Sequence, residues 1–166
     1  EYLQSVLHRS TSYTCRMPLK IGASIANADD RAFTAYSRLG EEIGLAFQVI
    51  DDQLNVAPVS EEWGKTTAED ITAGKVTPQV LLTLRRADRN RASELVRILR
   101  ANTTDQSELR NAVGIMQEYG ALAEAREIAD QHLETCLRII SDVDFLRGDD
   151  HELWYNFISY LSNRDR

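Results

Sequence analysis

The sequence predicts an all-α protein built as a helical bundle, and three observations carry that prediction. Apolar residues recur at spacings of three and four through nearly every segment, the period of a helix with one buried face. No alternating apolar–polar run stands between hairpin turns, as a half-buried strand would require. Only 8 glycines and 3 prolines occur, and they punctuate the helices.

The elements follow in order. Residues 2–26 read as a first helical stretch, with Pro18 expected to kink it or to start a second segment. Asn27 to Asp30 reads as a turn in which Asp29 or Asp30 caps the next helix. Residues 31–56 form one long helix, with Phe33, Tyr36, Leu39, Ile43, Phe47 and Ile50 on one stripe. Pro58 to Thr66 is a loop, and Thr66 with Glu69 fits a capping box for a short helix that Gly74 ends. Thr77 followed by Pro78 is an N-cap with proline at the first helical position. Helices then run to Arg86, from Arg91 to Ala101 and from Gln106 to Tyr119, the last opened by Asp105 and Glu108. After Gly120 a helix spans Ala121 to Ile140. A final one spans Asp150 to Leu161, with Leu153, Trp154, Phe157, Ile158 and Leu161 as its apolar stripe. With no internal repeat and no low-complexity linker, residues 1–166 read as a single all-α domain.

Composition narrows the function classes. Apolar residues make up 43% of the chain and charged ones 27%, an ordinary globular balance. The net charge is −7, which argues against a nucleic-acid binder. The arginines between Arg85 and Arg100 interleave with Asp88 and Glu94, so a solvated helix pair explains them better than a nucleic-acid or lipid surface. Cys15 and Cys136 lie far apart without metal-ligand spacing, and buried free thiols in a reducing cytoplasm are the expectation. His8, His132 and His151 show no metal-ligand pairing. The longest run without a charge or turn residue, Leu45 to Ile50, is too short for a transmembrane segment. Glu1-Tyr2-Leu3 reads as the middle of a helix rather than a signal peptide, which predicts a chain cut from something longer.

The chemistry concentrates in Gly44 to Asn55. On a helix, Gly44, Gln48, Asp51 or Asp52, and Asn55 share one stripe. Two carboxylates and an amide oxygen one turn apart suit Mg²⁺, a hard cation that takes one or two carboxylates together with substrate phosphates. A cap or solvated face is the plainer reading, but the aspartates interrupt a strongly apolar helix, where uncompensated carboxylates are costly. Gly40 and Gly44 would let a neighbouring helix come close to the same stripe. Gly64-Lys65 and then Asp70 with Gly74-Lys75-Val76-Thr77 follow. Each Gly-Lys pair alone reads as a helix end. Together, beside the aspartates, they read as ammonium groups for phosphate.

The series Phe47-Gln48-x-x-Asp51-Asp52-x-x-Asn55, Gly64-Lys65 and Asp70-x-x-x-Gly74-Lys75-x-Thr77 resembles the second aspartate-rich region of the trans-isoprenyl (polyprenyl) diphosphate synthases. Tyr13-Thr14, Pro18-Leu19 and Ile21-Gly22-Ala23 resemble the Lys-Thr helix of that family, and Leu153 to Arg164 resembles its closing helix. The bacterial geranylgeranyl-type members are nearest in kind. The resemblance implies the C-terminal half of an isoprenoid-synthase helical bundle. It implies Mg²⁺-dependent head-to-tail condensation of isopentenyl diphosphate with an allylic diphosphate, in which Mg²⁺ ions held by two aspartate-rich motifs draw off the allylic diphosphate. By the same resemblance Asp51 holds Mg²⁺ with Asp52 supporting and Asn55 as a weaker third ligand. Thr11 and Gln48 line the cation and proton-loss region, Lys65 clamps the allylic diphosphate, and Ser10 and Lys75 lie at the diphosphate. It further implies a cytoplasmic enzyme, either a homodimer or a heteromer with a chain carrying the first motif.

Three departures from the family pattern matter. Asn55 stands where the second motif usually ends in Asp. Ser10 stands where the family has lysine, a loss of one charge-assisted contact of roughly 1.5–3 kcal/mol. The first aspartate-rich motif does not occur in the sequence; Asp149-Asp150 near the tail is better read as a helix cap. The expectation is therefore a chain that does not perform the reaction alone. Three other readings stay open: a non-catalytic or regulatory subunit of a prenyl synthase, a class-I terpene cyclase-like protein (against which the Gly-Lys loops speak), and a plain helical scaffold. Absence of Mg²⁺-dependent diphosphate binding would single out the last.

Overall fold

The computed structural model describes residues 2–56, 68–146 and 149–164. Among these residues every regular element is a helix. No helix is long and apolar enough to cross a membrane among them.

The first stretch is continuous: α1 (Tyr2–Val6), a π-helical segment (Leu7–Arg16) and α2 (Met17–Ile25). Pro18 stands in the first turn of α2, the second segment that the sequence offered as one alternative. The backbone at Arg16 and Met17 stays helical, and the Met17 N–H reaches back five residues to the Ser12 carbonyl. Proline offers no N–H and crowds the carbonyl one turn back, and the wider π turns ahead of it relieve that crowding. α3 (Asp30–Val56) follows, capped by Asp29, whose Oδ1 accepts from the Ala32 N–H at 2.8 Å.

α4 (Glu69–Thr72) starts after Ala68, which sits at φ +68° with no side-chain cap. Glu69 is thus the first helical residue and not the third, and Thr66, its partner in the expected capping box, lies outside the described residues. α5 (Pro78–Arg86) is capped as expected, with Thr77 Oγ1 accepting from the Val80 N–H. α6 (Arg89–Ala101) begins two residues earlier than the sequence suggests. Asp88 is its cap, accepting from the N–H groups of Asn90 and Arg91 at 2.8 and 3.1 Å. In α7 (Gln106–Glu118) Asp105 caps, but Glu108 turns to Arg97 at 2.8 Å instead of closing a reciprocal box. α8 (Ala121–Asp142) and α9 (Asp149–Ser162) complete the chain.

Packing groups the chain into two compact units. The first comprises Glu1–Gln48 and Ile128–Arg164. Leu39, Ile43, Leu133, Ile140, Ile158 and Leu161 are among its buried residues. Glu42 meets His132 Nδ1 at 2.6 Å, and Tyr36 lies against Phe145 and Trp154. Cys136 is fully buried, and burial first, then the Glu42 charge, push its thiol up to about 12. Cys15 is only half-buried, short of the full burial expected. On α9, Ile158 and Leu161 face inward as predicted, whereas Leu153 and Phe157 are exposed.

The second unit comprises Val49–Glu127. Its core joins Val56, Ile71, Val80, Leu95, Ile98, Ile115 and Met116 from five successive helices. Short ion pairs rim it: Arg91 with Glu94 and Glu118, and Arg97 with Glu108. They bear out the solvated reading of the arginine run.

Candidate active site

In the second unit, a single ammonium organises two carboxylates from two helices. Lys75 Nζ donates to Asp52 Oδ1 at 2.8 Å and to Asp70 Oδ2 at 3.1 Å. Asp52 is completely buried, and the Lys75 ammonium is a charged partner for it there.

The geometry comes from the end of α4. Gly74 adopts φ +64°, and its N–H bonds to the Ile71 carbonyl at 2.9 Å while the Lys75 N–H bonds to the Asp70 carbonyl at 2.9 Å. That pair of bonds is a Schellman motif, which needs a left-handed residue and so favours glycine. A Cβ on Gly74 would also lie 2.9 Å from the Leu99 carbonyl oxygen. The turn thus stations Lys75 over Asp70 twice, once through its backbone and once through its side chain. Asn102 Nδ2 satisfies the Thr72 carbonyl at 3.0 Å and ties the same helix end to α6.

The electrostatics follow. Burial pushes the Asp70 carboxyl above its ordinary value; the Lys75 bond and charge pull the other way, and the charges of Asp52 and Asp51 push it up again. Burial works to lower the pKa of Lys75, but its bonds to Asp52 and Asp70, with their charges, outweigh it, and the ammonium titrates above its usual range. Three carboxyl groups, those of Asp51, Asp52 and Asp70, thus lie near the Lys75 ammonium. Among the described residues no three His, Cys, Asp or Glu side chains are arranged to hold a metal ion by themselves. The donors are nonetheless hard oxygens, the kind that Mg²⁺ takes together with water and phosphate oxygens.

Asn55 Nδ2 donates to the Asp51 carbonyl one turn back at 3.0 Å, so its amide oxygen is the atom it can offer a cation. Gln48, half-buried, lies on α3 one turn before Asp51 and Asp52.

In the first unit, Thr11 is buried against Gly44 of α3. A Cβ on Gly44 would stand 2.4 Å from Thr11 Cγ2, so only glycine admits this approach. A Cβ on Gly40 would lie 2.7 Å from the Arg16 Cα, and the π-helical segment presses on α3 along both glycines. Thr11 Oγ1 is buried without a hydrogen-bond partner among the described residues, an uncommon state for a hydroxyl. Ser10 belongs to the same segment, but its side chain, like all of Gly64 and Lys65, lies outside the described residues. Asp70 is the residue to which sequence reasoning gave no role; its place five residues before Lys75, across a Gly-Lys turn, is the signal that could have found it.

The polyprenyl synthetase family profile matches residues 1–116. The chain belongs to the polyprenyl synthetase family. It is 32% identical over 133 residues to the short chain isoprenyl diphosphate synthase of Methanothermobacter thermautotrophicus, an alignment covering 80% of this chain and 40% of that protein. It is 29% identical over 143 residues to the geranylgeranyl diphosphate synthase of Sulfolobus acidocaldarius, covering 86% of this chain and 43% of that one. Among solved structures, a putative geranylgeranyl pyrophosphate synthase from Corynebacterium glutamicum matches with a TM-score of 0.81 at 28% identity, covering 92% of this chain and 46% of that chain. A geranylgeranyl pyrophosphate synthase from the same organism, complexed with isoprenyl diphosphate and magnesium, matches with a TM-score of 0.78 at 26% identity, covering 93% and 43%. The chain therefore spans less than half the length of these polyprenyl synthetase relatives, and the all-α fold expected from its sequence is the fold they have.

Proposed function

We propose that this chain forms the second aspartate-rich half of an isoprenyl diphosphate synthase that condenses isopentenyl diphosphate with an allylic diphosphate. The observation that carries the reading is the Lys75 bridge between buried Asp52 of the motif and Asp70. A relative solved with isoprenyl diphosphate and magnesium supports the same ligands here.

Magnesium, when bound, supplies the positive charge that draws diphosphate from the allylic carbon. Asp51 holds it, and the Asn55 amide oxygen adds a neutral donor. Asp52 acts through Lys75, which neutralises it and fixes the end of α4. Gln48 and the unpartnered Thr11 hydroxyl offer dipoles to the charge that develops on the allyl group, fixed before reaction because helix packing holds them. Lys65 and Lys75 supply ammonium groups at the diphosphate. The free cysteines suit a reducing cytoplasm.

The test is a calorimetric titration of inorganic diphosphate, with and without Mg²⁺, into this chain fused behind the front half of the Methanothermobacter relative. Asp51→Ala should abolish the Mg²⁺-dependent component. Unchanged affinity would defeat the assignment.

A further inference from the structure

We propose that α5 carries an internal binding site for an ordered water molecule, formed by the Gln79 amide and the Thr83 hydroxyl inside the second unit. An amphipathic helix buries its apolar residues and leaves its polar ones in water. α5 does otherwise. Pro78 to Arg86 holds three leucines, yet Leu81 is 40% exposed while Gln79 and Thr83 are 0% exposed. Thr77 and Pro78 fix the start of the helix, and Val80, buried beside Gln79, packs in one cluster with Ile115 and Met116 of α7. The inward face of α5 therefore sets two fully buried polar side chains against an apolar core.

Neither Oε1 nor Nε2 of Gln79 has a hydrogen-bond partner among the described residues. A buried amide in that condition bears its full desolvation penalty, and such groups are rare in folded proteins. Thr83 lies one turn further along the same face. Its hydroxyl donates to the main-chain carbonyl of Gln79 at 2.7 Å, so its proton is committed and its oxygen remains an acceptor. Residues four apart on a helix have Cβ atoms about 5–6 Å apart. One water spans such a gap with two hydrogen bonds of about 2.8–3.0 Å, accepting from Gln79 Nε2 and donating to Thr83 Oγ1.

The chemistry of the site selects its ligand. The ligand must both accept and donate, because the amide offers N–H donors and Thr83 offers an acceptor. It must be neutral: the buried residues of α5 are Pro78, Gln79, Val80 and Thr83, and none of them could answer a charge. It must be small enough to sit within one turn of a helix packed into a core. Water meets all three conditions, and buried waters bond to polar groups that the protein leaves otherwise unsatisfied. The site uses no residue placed at the cation or the diphosphate.

The test is oxygen-17 relaxation dispersion of water in solutions of the 166-residue chain, which counts waters that stay in the protein for longer than it takes to tumble. Gln79→Met keeps the length of the side chain and removes the amide; Thr83→Val keeps the shape and removes the hydroxyl. Each should lower the count by about one molecule, and Leu81→Gln, on the exposed face, should leave it unchanged. Urea unfolding gives a second readout. With water on the amide, Gln79→Met removes a satisfied group and strands the water on Thr83, so the folding equilibrium constant should fall about fivefold. An amide with no partner gives the opposite sign: its removal relieves the penalty, and the constant would rise about tenfold. A rise in that constant would overturn the proposal, as would counts that stay the same in both Gln79→Met and Thr83→Val. If Gln79→Met does not fold, the count in Thr83→Val decides alone. Neither readout depends on prenyl transfer, so failure here leaves the catalytic reading standing.

Discussion

Replacing Lys75 by methionine keeps the stem and removes the ammonium from between Asp52 and Asp70. Asp52 has no exposed surface, so its charge then stands in the interior without this counter-ion. Breaking a fully buried ion pair from one side costs about 3–5 kcal/mol. Here the lysine side chain is 42% exposed, so water reaches the site and screens part of the loss. The expected cost is about 2–3 kcal/mol, equivalent to a fall of roughly 4–12 °C in Tm for a domain of this size. Urea unfolding followed by circular dichroism measures it directly. Asp52→Leu in the Lys75→Met background deletes the buried carboxyl group and should recover at least half of the loss, because an apolar replacement of a whole buried pair is often neutral. A Lys75→Met protein within about 0.5 kcal/mol of the parent would refute the reasoning, and so would a double variant no more stable than the single one.

Asp70 should destabilise the protein as it ionises. Its folded pKa lies above the ordinary 3.8, so the native state holds the proton longer than the unfolded chain and stability falls as pH rises through that window. Asp70→Asn should flatten that part of the pH–stability curve, and an unchanged slope would rule the effect out. Gly44→Ala must push Thr11 aside and should cost about 1–3 kcal/mol, whereas Gly114→Ala, with nothing within 4 Å, should gain up to about 1 kcal/mol; equal urea midpoints would contradict the packing of α3 on the π-helical segment. Ser10→Lys restores the family's ammonium and should tighten allylic diphosphate binding by tenfold or more, equivalent to 1.4 kcal/mol or more, in the fused protein. No gain in a calorimetric titration would mean that Ser10 does not lie at the diphosphate.

Helix existence was legible because periodicity reports burial directly. Asp29, Thr77 and Asp105 are capping residues because short polar side chains reach the orphaned N–H groups, and that chemistry can be read without coordinates. What escaped depended on competition between partners. Asp88 looks like one acid among arginines, yet its carboxylate caps α6 and also accepts from the Tyr119 hydroxyl at 2.8 Å. Glu108 had an equally good partner in Arg97 and left its own helix start for it. Pro18 was expected to kink the first stretch or to start a second segment; α2 does start there, and what the sequence did not show is the run of wider turns ahead of it.

The site was legible in its residues and not in its pairings. Spacing alone puts Gln48, Asp51, Asp52 and Asn55 on one side of α3, but it cannot distinguish the buried aspartate from its neighbour. That distinction depends on which carboxylate Lys75 reaches, and the reach is fixed by the turn at Gly74, more than twenty residues further along. The two interpretations of Gly74-Lys75, helix end and phosphate-side ammonium, are therefore not rivals. The Schellman turn that ends α4 is the device that carries the ammonium to Asp52, so a helix-terminating signal and a functional one share the same two residues. The π-helical segment follows the same logic. Its glycine contacts on α3 bury Thr11 and leave that hydroxyl unpartnered, while its opposite face keeps Tyr13, Met17, Ile21 and Ile25 in water.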